Sequence, residues 1–147
     1  MKTRVLLVDD EEQFLDALSE RLAIRDYEIT TSLNGEDALE KIKQYNYDVV
    51  ILDVAMPGTD GIEVLREIRK LKPLTEVIML SGQGTVDTAI EGMKLGAFDF
   101  LLKPCDTEDL DIKIKKAYTR KSEHEERIRT AMGSDSVSSP RSVLEDD

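Results

Sequence analysis

Four apolar runs limit what this chain can fold into: Arg4-Val5-Leu6-Leu7-Val8, Val49-Val50-Ile51-Leu52, Glu76-Val77-Ile78-Met79-Leu80 and Phe98-Asp99-Phe100-Leu101-Leu102. The first three are continuous rather than alternating, the pattern of strands covered on both faces, and such strands belong to parallel sheets. What ends them is equally informative. The first run stops at Asp9 and Asp10, the second at Asp53, the third at Ser81 and the fourth at Lys103 before Pro104. Open parallel sheets bind ligands in the crevice beyond the carboxyl ends of their strands. Acids, a hydroxyl and an ammonium at that edge point to metal-assisted phosphoryl chemistry.

The segments between the runs read as helices. Phe14, Leu15, Leu18 and Leu22 recur at spacings of three and four, with Glu11 and Glu12 as acids of a first turn. Tyr27–Thr31 is a short strand, and Asn34-Gly35-Glu36-Asp37 opens a helix carrying Ala38, Leu39, Ile42 and Tyr45. After a turn at Pro57-Gly58, Asp60 and Glu63 have capping-box spacing ahead of Val64, Leu65, Ile68 and Leu71. A helix from about Thr85 to Leu95 bears Val86, Ala89, Ile90 and Met93 and closes at Gly96. Asp106 can cap a last helix whose inner face is Leu110, Ile114, Ala117 and Tyr118. Five strands alternating with five helices predict a doubly wound α/β domain over 1–121. Beyond Tyr118 the apolar stripe fades, but Glu123 with Arg127 and Glu125 with Arg129 keep helical ion-pair spacing, so 122–132 is expected to be a helical overrun. Residues 133–147 form a Ser-rich acidic tail, expected to be disordered because they offer little apolar surface.

A length of 147 residues fits one domain with a short extension. The net charge of -11 describes an acidic protein that repels nucleic-acid phosphates and anionic lipid, so neither direct nucleic-acid binding nor membrane association is expected. Cys105 is the single cysteine, excluding an internal disulfide, and the amino terminus enters a strand rather than a signal segment; the expected compartment is the cytoplasm. Gly82-Gln83-Gly84 lacks the residues of a nucleotide-binding loop. His124 lacks partners for metal binding.

From about Thr3 to Lys121 the chain resembles a response regulator receiver domain, the phosphoacceptor of two-component signalling. The resemblance rests on Leu-Val-Asp-Asp-Glu at 7–11, Leu-Asp-Val-Ala-Met-Pro-Gly at 52–58, Ser81-Gly82 and Lys103-Pro104. It implies a flavodoxin-like sheet in strand order 2-1-3-4-5, with Asp53 accepting a phosphoryl group from a sensor histidine kinase or phosphotransfer protein. It further implies Mg2+ held by Asp10, Asp53 and the main-chain carbonyl of Ala55, with Asp9 acting through water. Lys103 and Ser81 then contact phosphoryl oxygens, and Ser81 with Phe100 forms the switch that alters a protein-binding surface. Such a protein is a regulatory phosphoacceptor rather than an enzyme, promoting its own phosphorylation and slow dephosphorylation. It acts on a downstream protein target or on an effector domain outside this sequence.

Each residue also has an ordinary explanation. Asp10 and Asp53 can cap a helix or a turn, Asp9 can be a solvated acid, Ser81 can make a local turn, and Lys103 can be a solvated rim charge. Phe98 and Phe100 share a side in an ideal strand, so both can be core residues. The alternative function is a Mg2+-dependent small-molecule phosphatase with an aspartyl-phosphate intermediate, but Asp53-Val54-Ala55 offers no second acid as general acid. A flavodoxin-type cofactor protein is disfavoured because Asp9-Asp10-Glu11-Glu12 stands where its phosphate loop belongs.

Overall fold

The computed structural model describes residues 2–58, 60–82 and 86–133. The elements run β1 (Thr3–Val8), α1 (Glu12–Ala23), β2 (Tyr27–Ser32), α2 (Gly35–Gln44), β3 (Val49–Asp53), α3 (Gly61–Leu71), β4 (Glu76–Ser81), α4 (Val86–Lys94), β5 (Asp99–Leu102) and α5 (Thr107–Gly133). The strands pair in parallel in the order β2-β1-β3-β4-β5. This is the predicted doubly wound, flavodoxin-like sheet. Side chains alternate along each strand into two cores. Leu6, Val8, Val50, Leu52, Val77 and Met79 face α2, α3 and α4, whereas Val5, Leu7, Val49, Ile51, Ile78 and Leu80 face α1 and α5.

Two polar helix starts, those of α2 and α3, are capped by the predicted side chains, although Glu63 does not complete the capping box with Asp60. Asn34 Oδ1 accepts the Asp37 amide at 2.8 Å, and Asp60 Oδ1 accepts those of Ile62 and Glu63 at 3.1 and 3.2 Å. Glu63 pairs with Arg66 at 3.3 Å. At Gly61 a Cβ would stand 2.4 Å from Val54 Cα, so only glycine lets α3 start this close to the chain leaving β3.

Four expectations about packing are corrected. Val86, Ile90 and Met93 of α4 are exposed, because α4 meets the sheet through Gly92, where a Cβ would stand 2.1 Å from Met79 Sδ. At about 100° per residue the Val86-Ile90-Met93 stripe falls on the side away from Gly92. Tyr118 and Tyr45 are likewise exposed, Tyr45 because it sits at the C-cap of α2. Phe98 and Phe100 do not share a side: β5 begins only at Asp99, Phe98 packs with the α1/α5 core, and Phe100 with the other. In the α5 overrun, among the described residues, Glu125 pairs with Lys121 at 2.5 Å and Arg129 with Glu126 at 2.7 Å, while the predicted partners Glu125 and Arg129 act on each other only at longer range.

α5 continues as one helix to Gly133, which was expected to begin the disordered tail, and the rest of that tail, 134–147, lies outside the described residues. Near its middle α5 is clamped to the amino-terminal edge of the sheet. Arg120 makes a two-pronged pair with Glu76, both contacts at 2.7 Å, and stacks over Phe98 at 4.6 Å. Lys121 reaches Asp48 at 3.1 Å, and Asp48 also accepts the Arg4 amide at 2.8 Å. Tyr27 donates to Asp111, tying β2 to α5.

Glu76 is 2% exposed, so losing its partner strands a buried carboxylate. Arg120→Ala is expected to destabilise the domain by about 2–4 kcal/mol in urea unfolding, the arginine being partly exposed. Arg129→Ala, from a pair exposed on both sides, should leave the urea midpoint unchanged.

Candidate functional site

The sheet's hydrogen-bond ladder runs one residue past β1, β3 and β5 and so fixes groups at its carboxyl edge. Asp9 N–H donates to Ser32 O at 3.1 Å, Val54 N–H to Leu80 O at 3.2 Å and Lys103 N–H to Ser81 O at 2.8 Å. Register pairs Val8 with Leu52, which brings Asp9 level with Asp53. Carboxylate oxygens of Asp9, Asp10 and Asp53 lie within 4.8 Å of one another. The first two are separated by one peptide bond, so the strand turn that exposes Asp10 leaves Asp9 buried.

Lys103 enters this acid cluster from the end of β5, following a strand-terminal position and preceding a cis Lys103–Pro104 bond. Its ammonium lies 2.7 Å from Asp9 Oδ2, 2.7 Å from Glu11 Oε1 and 3.5 Å from Asp53 Oδ2, above the Phe14 ring at 4.4 Å. Its side chain is only 12% exposed, so the reading of a solvated rim charge is wrong. Burial alone would lower the lysine pKa, but the hydrogen bonds and charges of Asp9, Glu11 and Asp53 outweigh it and raise the pKa. Burial pushes the Asp9 carboxyl up, against the Lys103 ammonium and the Glu11 amide at 2.9 Å, which favour its charged form.

The ordinary explanations are tested by the same contacts. Asp10 caps nothing: Glu11 is the N-cap of α1 and no side chain caps it, and the Asp10 carboxylate has no partner among the described residues. Asp53 does both jobs, accepting the Ala55 amide on Oδ1 at 2.8 Å while Oδ2 faces Lys103. The loop after β3 is held down by Met56, 3% exposed in the core, which leaves Ala55 and Pro57 on the cleft wall. The cleft, about 380 Å³, is lined by Asp10, Glu11, Asp53, Ala55, Pro57, Gly82 and Lys103. Ser81 is fully buried beside it, represented on the wall by Gly82. Phe100 packs on the α2–α4 side of the sheet, the side to which strand alternation also assigns Ser81.

Sequence reasoning missed Glu11 as a site residue because Glu11 reads as one more acid in the first turn of α1. Its place directly after Asp9-Asp10 was the available signal. Phe14 was read only as an apolar face residue. Cys105 is half-buried, with burial and then Asp109 and Asp106 pushing its thiol up, and it does not line the cleft.

The response regulator receiver domain model matches residues 5–115. The chain belongs to the response regulator receiver family. Receiver domains of two-component response regulators are typically phosphorylated on aspartate. The receiver is 37% identical over 114 residues to the regulatory protein AtoC of Escherichia coli strain K12, covering 78% of this chain and 25% of AtoC. It is 37% identical over 122 residues to the transcriptional regulatory protein ResD of Bacillus subtilis strain 168, covering 83% of this chain and 50% of ResD. The chain thus spans a quarter to half the length of these relatives. A receiver domain structure from Clostridium thermocellum superimposes with a TM-score of 0.78 at 38% identity, covering 82% of this chain and 97% of that one. No helix among the described residues is long and apolar enough to cross a membrane.

The Lys103–acid network makes a stability prediction. In metal-free buffer, Lys103→Ala should destabilise the receiver by about 2–4 kcal/mol, and by much less in an Asp9→Ala background, because the buried acid then no longer lacks a counter-charge. Asp9's raised pKa sets the pH sign: the penalty is full where Asp9 is ionised and shrinks as pH falls into the carboxylate range and the acid takes up a proton. Urea unfolding of the double-mutant cycle at neutral and acidic pH checks both statements.

Proposed function

We propose that Asp53 is the phosphoacceptor of a signalling switch fed by a sensor histidine kinase or phosphotransfer protein. The observation that supports this best is the meeting of Asp53 Oδ2, Lys103 and the acids of β1's end in one cleft at the sheet's carboxyl edge. A carboxylate attacks a phosphoryl group only when the charge on the approaching oxygens is neutralised. The set of hard oxygens fits Mg2+, with Asp10 and Asp53 as direct ligands, the Ala55 main-chain carbonyl completing the protein's share and Asp9 acting through water. When bound, the ion supplies positive charge against the phosphoryl oxygens.

The chain's own residues do the rest. Asp53 offers Oδ2 toward the cleft while the Ala55 amide holds Oδ1 in place. An Asp53 oxygen forms the new O–P bond as the donor's P–N bond breaks, and the departing imidazole nitrogen keeps the electron pair. Lys103 gives one N–H to a phosphoryl oxygen. The Ser81 hydroxyl turns to another, and its shared side of the sheet with Phe100 lets that turn free space for the ring to move inward. That couples a local electrostatic event to the surface formed by α4, β5 and α5.

The receiver comprises 1–121, and the α5 overrun at 122–132 connects it to a downstream protein target or an effector domain. Phosphoryl acceptance and slow loss are its own chemistry, and it works in the cytoplasm without touching nucleic acid or membrane directly. A small-molecule phosphatase gains no support, since Ala55 stands where a general acid would be needed.

Incubated with acetyl phosphate and Mg2+, the protein is expected to gain one alkali-labile phosphate, seen as a mass increase that Asp53→Asn abolishes. Asp10→Ala should lose most of the Mg2+ dependence while changing metal-free stability by less than about 1 kcal/mol, its side chain being exposed. Full labelling of Asp53→Asn would refute the assignment.

A further inference from the structure

Lys103 is shared between three carboxylates. It donates hydrogen bonds to Glu11 Oε1 at 2.7 Å and, at the limit, to Asp53 Oδ2 at 3.5 Å, while Asp9 Oδ2, 2.7 Å away, is an ion-pair contact outside hydrogen-bond geometry. A phosphoryl group on Asp53 competes with these carboxylates for the ammonium, and the short hydrogen bond it contests is the one to Glu11. The three acids are not equally able to let go. Asp9 is buried to 3% and is also anchored by the Glu11 amide at 2.9 Å. Asp53 is the reacting group. Glu11 has a side chain 64% exposed, and the same amide hydrogen bond that anchors Asp9 fixes its main chain, leaving the carboxylate to swing into water. When it leaves, Lys103 keeps Asp9 and the Phe14 ring, so the ammonium stays aimed at Asp53.

We propose that Glu11 is a positioning residue that acts as the displaceable counter-ion of Lys103, holding the lysine poised in the unphosphorylated receiver and competing with the phosphoryl donor for it. This rests on Asp53 being the phosphoacceptor. Glu11 lines the cleft, so its charge also stands on the path of an anionic donor. Both effects oppose donor capture rather than the chemical step. Glu11 therefore sets how much phosphodonor the receiver needs before it responds. A low background from small anionic phosphodonors follows, whereas a bound kinase supplies its phosphoryl group at high effective concentration and is hindered less.

The test compares wild type with Glu11→Gln, which removes the charge, and Glu11→Asp, which keeps the charge but is one methylene shorter. Phosphorylation rates are measured against acetyl phosphate concentration at saturating Mg2+, with Lys103 followed by NMR of its side-chain Cε and Nζ. Glu11→Gln is expected to reach half-maximal rate at about three- to tenfold lower donor concentration, with the maximal rate changed by less than about twofold. Its advantage should shrink as ionic strength rises above about 0.1 M, where the Debye length falls to about 10 Å. The Lys103 signals should shift in both variants before any donor is added, which a surface acid without contact to the lysine would not produce. An unchanged donor dependence with normal labelling of Asp53 overturns this inference alone. A Glu11→Gln variant that needs more Mg2+ overturns it too, because Glu11 would then serve the metal rather than the lysine. Failure of wild type to label on Asp53 overturns the phosphoacceptor reading and this inference together.

Discussion

The site depends on one charge balance. A parallel sheet delivers the ends of β1 and β3 to the same level, and in this sequence those ends are acids, two of which, Asp9 and Asp53, are almost wholly removed from water. Neighbouring buried carboxylates raise one another's energy unless a positive charge lies between them. Lys103 is that charge, reaching from the far side of the sheet to touch Asp9, Glu11 and Asp53 at once. The network bears on the proposed phosphoryl chemistry as well as on stability. It leaves one acid, Asp10, without a partner among the described residues, and it points the second oxygen of Asp53 at a cation.

The opposite edge of the sheet does a different job. There Glu76 and Asp48 are matched by Arg120 and Lys121 of α5, so the acids are closed off rather than left open to a ligand. The contrast sets an open cleft at one end of the fold against a brace at the other. Because the clamp sits where α5 leaves the body of the domain, the helix beyond it departs in a fixed direction, which suits a connector between a switch and whatever it controls.

The fold was legible because continuous apolar runs and helical spacing are set by burial, which sequence displays directly. Element order, strand direction and the identity of the strand-end residues all followed from it, and the strand order followed from the family resemblance. Misreadings came where burial and periodicity part company. Val86, Ile90 and Met93 form a proper helical stripe yet stay exposed, because a glycine at 92 lets α4 sit on Met79 and turns the stripe outward. Phe98 and Phe100 have strand spacing, but the strand starts between them. In the site, the acids and Lys103 were found from their positions. The part of Glu11 was not, since an acid after two acids looks like helix-start chemistry and only the 2.7 Å contact to Lys103 shows otherwise.

The central claim, that the acids ending β1 and β3 form one cation-binding phosphoryl site, is tested most directly by backbone NMR during a Mg2+ titration at constant ionic strength. The account predicts saturable shifts with a single affinity, largest at Asp9, Asp10, Val54, Ala55 and Lys103, while the amides of Asp48, Glu76 and the α5 overrun stay in place. Shifts that do not saturate and scatter over the exposed acids of α2 and α3 would contradict it.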